Sequence, residues 1–117
     1  MLDKETTIEI TAETLPNAPE EQLGVYELKR WTWYEKQVCL NRASIVIDAK
    51  KGLVKTPMPD YNAHMVLITL RESPLEMTGD PALDIEKIKN LDPEVGDLLF
   101  RAATAINVIT PEEKEDF

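Results

Sequence analysis

The sequence has one cysteine in 117 residues, Cys39, so no internal disulfide can form and a reducing cytoplasm is the expected setting. Cys39 also lacks a Cys-x-x-Cys partner, a glycine-rich turn or a helix N-terminus to lower its pKa, and reads as a small buried hydrophobe. The four glycines are scattered and build no phosphate-cradling loop. The lone histidine, His64, stands inside an apolar helix stripe with no nucleophile beside it, which suits a core or interface histidine. Asp80, Asp84 and Glu86 match no calcium-loop spacing; a helix cap and a solvated face account for them. No apolar run reaches the roughly 18 residues a membrane helix needs. The longest, residues 63–70, is broken by His64 and Thr69. Acids stand where a secretory signal would carry basic residues. No catalytic group, cofactor, metal or membrane contact is expected.

What is present is enough for one domain. The chain is 43% hydrophobic and 30% charged, and a chain of this length buries very roughly two thirds of its unfolded surface. The net charge of −9 is uneven: residues 1–22 hold −5, residues 23–73 hold +3 and residues 74–117 hold −7. Two acidic ends repel phosphate backbones, which argues against general nucleic-acid binding. The basic middle either meets an acidic partner or pairs with the chain's own ends.

Alternation in Thr6-Thr7-Ile8-Glu9-Ile10-Thr11 and in Gly24-Val25-Tyr26-Glu27-Leu28-Lys29 predicts two strands that pair. Between them, residues 12–23 carry Pro16, Pro19 and three acids and read as a mobile acidic loop. Thr32 with Glu35 forms a capping box that opens a helix running to about residue 43, with Trp33, Gln37 and Leu40 on one side. Ser44-Ile45-Val46-Ile47-Asp48 is too β-branched to continue it. Ala49-Lys50-Lys51-Gly52 has turn chemistry, so residues 44–56 form a hairpin-like excursion. Asp60 is the expected cap of a central buried helix over 61–72, apolar on both sides and ended by Ser73-Pro74. A short helix follows over 81–89. Asp92-Pro93-Glu94 then starts a helix to about residue 107, with Val95, Leu98, Leu99, Ala102 and Ile106 on its core face. Thr110 repeats a helix-start pattern, so residues 110–117 are either a short turn or an acidic tail.

Trp31 and Trp33 lie two apart across a strand-to-helix junction, so their rings point in different directions. Either both rings are buried, or one anchors the core and the other is an exposed binding anchor.

The run Tyr26-Glu27-Leu28-Lys29-Arg30-Trp31-Thr32-Trp33-Tyr34-Glu35 resembles the strand, Leu-Thr-Trp-x-Glu, helix opening of tail assembly chaperones from long-tailed bacterial and archaeal viruses. The similarity continues through an aromatic start at Tyr61 and the Ser-Pro-Leu break at 73–75. It ends in Leu91-Asp92-Pro93-Glu94-Val95-Gly96-Asp97-Leu98-Leu99 with Asn107 close behind. It spans roughly residues 5–107, and departs from the pattern in the long acidic loop and the β-rich stretch 44–60. The resemblance implies a small, mainly helical protein that is not an enzyme. Such proteins coat the tape measure protein, keep it soluble, help recruit tail tube subunits and are absent from the finished virion. Many are continued by a programmed frameshift, and the helix-start pattern at Thr110 would suit such an extension.

The expected fold is therefore α+β: a predominantly helical single domain over 1–109, with three to four helices and one or two short β-hairpins, followed by 110–117. The expected partners are the tape measure protein, the tail tube protein and further copies of the chain, in the host cytoplasm. An apolar patch for helix capture is expected from Trp31, Trp33, Tyr34 and Tyr61, with Met58 and Met65 as adaptable contacts. The alternative is an acidic viral inhibitor that imitates nucleic acid.

Overall fold

A computed structural model describes residues 5–107. The order of elements is β1 (Glu5–Ile10), β2 (Gly24–Lys29), α1 (Trp33–Ala43), β3 (Ile45–Asp48), β4 (Leu53–Lys55), α2 (Met58–Thr69), β5 (Leu70–Glu72), α3 (Pro81–Lys89) and α4 (Pro93–Asn107). About half of the described residues are helical and about a fifth lie in strands, so the expected α+β, mainly helical domain is what forms.

β1 and β2 pair antiparallel, with Ile8 opposite Tyr26 and Ile10 opposite Gly24. Period-two alternation turns Ile8, Ile10, Tyr26 and Leu28 to one face and leaves Glu5, Thr7 and Glu9 in water. The third strand, β5, was not expected. Helix α2 spans Met58–Thr69 where the sequence pointed to 61–72, and Pro57 rather than Asp60 stands at its N-cap. Pro59 in the first turn lacks an N–H that the helix could not have used there, so the earlier start costs nothing. At the far end the open edge of β2 captures the chain: Leu28 pairs with Leu70 and Glu27 with Glu72, and three residues become strand instead of helix.

The sheet's inner face is covered by α4, whose Val95, Leu99, Ala103 and Ile106 are buried in one core with Ile10, Tyr26 and Leu28. Leu98 and Ala102 from the expected stripe sit half-buried at its margin. Helix α2 packs against α1, α3 and α4, and no residue from Asp60 to Leu70 is fully exposed. That is the central helix its two apolar sides called for. In α1 the inward positions are Cys39 and Ala43, not the Trp33–Gln37–Leu40 side.

Residues 12–23, read from the sequence as a mobile acidic loop, make specific contacts. Leu15 joins the core, and Thr11 and Thr14 exchange backbone and hydroxyl hydrogen bonds at 3.1–3.3 Å. A single 3-10 turn at Glu20–Gln22 then buries Gln22. The Gln22 carbonyl accepts the Tyr26 hydroxyl at 2.6 Å, and its side-chain oxygen accepts the Asp92 N–H at 2.9 Å. Gly24 follows with φ of +146°, and a Cβ there would lie 3.0 Å from Pro74, so both backbone and space demand glycine. Thr110 and the 110–117 segment lie outside the described residues.

The other end of α4 is tied as well: the Trp31 N–H donates to Asn107 Oδ1 at 2.9 Å in a buried setting. An Asn107→Ala variant leaves that N–H without a partner, a loss of about 1–3 kcal/mol. The urea unfolding midpoint should fall accordingly with an unchanged slope. An unchanged midpoint would show that this tie contributes nothing.

Candidate protein-binding surface

The first turn of α1 is built by its cap. Thr32 is extended, its hydroxyl accepts the Glu35 N–H at 3.1 Å, and Glu35 reaches back to the Thr32 N–H at 2.9 Å. Glu35 also pairs with Arg71 of β5 at 3.1 Å, which ties the helix start to the sheet. Burial pushes the Glu35 carboxyl upward, but the Thr32 N–H and the Arg71 guanidinium outweigh it and hold the group below its ordinary range. On this fixed turn Trp33 and Tyr34 occupy the first two helical positions, 75% and 70% exposed.

The six residues expected to share one patch do not all do so. Trp31 and Met65 are corrections: they are 8% and 2% exposed and belong to the core. Trp31 precedes the cap outside both strand and helix, with its N–H held by Asn107, and its indole is buried where that of Trp33 is exposed. Tyr61 is half-buried against the core and meets Trp31 edge to face, with centroids 6.4 Å apart. Met58 is exposed but opens α2. It therefore stands on a different element from Trp33 and Tyr34, which open α1. The aromatic surface is thus Trp33 with Tyr34.

Two further features escaped the sequence reading. One is a cleft of about 250 Å³ between α2, α3 and α4, floored by Ala63, Val66, Ile88, Leu91 and Phe100 with Lys89 and Asp97 at its margin. The other is the exposure of the expected β3–β4 hairpin, whose Ile45, Val46, Ile47, Leu53 and Val54 all face water. The signal for it was legible: an apolar run without polar alternation cannot hide both faces of a two-stranded hairpin.

The chain matches no known protein family, no curated protein and no solved structure.

Cys39, Asp80 and Asp84 each have a structural role. Burial raises the Cys39 thiol to about 11, and its Sγ points at the Tyr61 carbonyl 3.7 Å away. Asp80 caps α3 through the Ala82 N–H at 3.0 Å. Asp84 accepts the Thr78 N–H and hydroxyl, each at 2.8 Å, and the Gly79 N–H at 3.0 Å, which hold its carboxyl below the ordinary range. Among the described residues no three His, Cys, Asp or Glu side chains converge as metal ligands, and no helix is long and apolar enough to cross a membrane.

His64 is held below its ordinary pKa by burial, then by the nearby Lys89 and Arg42 charges. The folded state therefore favours neutral imidazole, and protonation favours the unfolded chain. Stability should be full above the ordinary histidine range and fall as pH drops from about 7.5 to about 5.5. His64 is the only histidine, so a His64→Gln variant should flatten that slope in urea titrations at the two pH values. Equal slopes in both proteins would show that His64 is not the source.

Proposed function

We propose that this chain is a tail assembly chaperone of a long-tailed virus. It binds the tape measure protein, keeps that helix-rich chain soluble in the host cytoplasm and helps recruit tail tube subunits. The reading rests on the family-like residues, and these have physical work in the fold. The Trp31–Glu35 run supplies the inward indole and the capping box, Asp92 caps α4, and Asn107 closes it against Trp31.

One observation carries the proposal: Trp33 and Tyr34 stand adjacent in water on a turn made rigid by its cap and by the Arg71 pair. Core packing does not require them there. Large exposed aromatics on a preorganised helix end are the side chains that anchor protein interfaces. The cleft between α2, α3 and α4 adds an apolar floor suited to side chains from a captured helix. The net charge of −9 keeps an assembly on a greasy partner dispersed.

The test is co-expression with a candidate tape measure protein, a long coiled-coil-rich chain from the same genome. Replacing both anchors in Trp33→Ala/Tyr34→Ala removes about 2 kcal/mol each, a loss of roughly a thousandfold in affinity. Soluble tape measure protein should fall several-fold while the circular dichroism and melting temperature of the variant stay near wild type. Undiminished solubilisation by a folded double variant would overturn the reading.

A further inference from the structure

The β3–β4 hairpin projects as an arm between α1 and α2. Its two strands pair with each other, Ile45 with Lys55 and Val46 with Val54, and among the described residues join neither the three-stranded sheet nor the buried core. Its base is clasped by the Ser44 and Thr56 hydroxyls, 2.6 Å apart, and its tip by Asp48, whose carboxylate accepts the Lys50 and Lys51 N–H groups at 3.0 and 3.3 Å. Between these points five large aliphatic side chains are 50–67% exposed. A lone two-stranded hairpin is marginal in water, and both of its edges present unpaired backbone groups. Such an arm needs a cover.

Charge identifies the cover. The arm, residues 45–55, carries Lys50, Lys51 and Lys55 against Asp48, a balance of +2, within a chain of net −9. The rest of the chain therefore holds −11. That acidic remainder also offers a matching edge: among the described residues β1 is paired only on its β2 side, and its exposed face bears Glu5 and Glu9. Six residues of open strand are long enough to receive either strand of the arm.

We propose that the arm is a self-assembly element that adds to the open β1 edge of a second copy of this chain. The aliphatic side chains are then covered by that copy, and the lysines meet its Glu5 and Glu9. The inference is independent of the chaperone reading, since its readout is the mass of the purified protein alone.

The experiment is sedimentation or light scattering of the full chain at tens of micromolar. Wild type should give a species at least twice the 13.3 kDa monomer. Val46→Asp/Val54→Asp, Lys50→Glu/Lys51→Glu and Glu5→Lys/Glu9→Lys should each return it to monomer mass with unchanged circular dichroism, because all of these side chains face water. Mixing the lysine-reversed and glutamate-reversed proteins should restore a larger species. A monomeric wild type, arm variants that keep the wild-type mass, or assembly of wild type unaffected by the β1 variants would each overturn the proposal. If the arm instead binds only a different protein, wild type alone stays monomeric and the proposal fails.

Discussion

The fold depends on holding α4 against the β1–β2 hairpin at both ends. Apolar burial of Val95, Leu99, Ala103 and Ile106 against Ile10, Tyr26 and Leu28 supplies most of the attraction, but it is non-directional. Two long-range hydrogen bonds supply direction. Gln22 receives the backbone of Asp92 at the helix start, and Asn107 receives that of Trp31 at its finish. Each satisfies a backbone donor away from bulk water, so sliding α4 along the sheet would strand both. Helix α2 then fills the remaining side of the core, and α1 and α3 are placed by packing on α2.

The candidate binding surface follows from that arrangement. The Trp31 N–H is committed to Asn107, so the indole is drawn inward and the next residue must begin a new element. Thr32 does so, and its cap forces the two aromatic residues after it to the outside of the first turn. Exposure of Trp33 and Tyr34 is thus a geometric consequence of how the strand ends, not a failure of packing.

Local chemistry with a sharp physical signature was legible in the sequence. The capping box, the Pro-led starts of α3 and α4 and the pairing of the first two strands stand as their residues indicate, because each depends on neighbours within a few positions. Long-range competition was not legible. Nothing in Leu70-Arg71-Glu72 says that β2 has an open edge to offer, so a helical periodicity running through it was read as continuing. The polar, proline-containing loop hid two buried residues, Leu15 and Gln22, whose partners lie elsewhere in the chain. For the binding residues, spacing grouped Trp31, Met65 and Trp33 together, but only the tertiary position of α4 decides which ring goes inside.

The clasp at Ser44 and Thr56 has a consequence for how such a chain can vary. Because the arm begins and ends at nearly the same point, the span between α1 and α2 is closed by those two hydroxyls rather than by what lies beyond them. Residues 45–55 behave as a graft on a finished stem. Lengthening, shortening or rewriting them leaves the helices' separation untouched, so recognition can diverge at this place without renegotiating the interior.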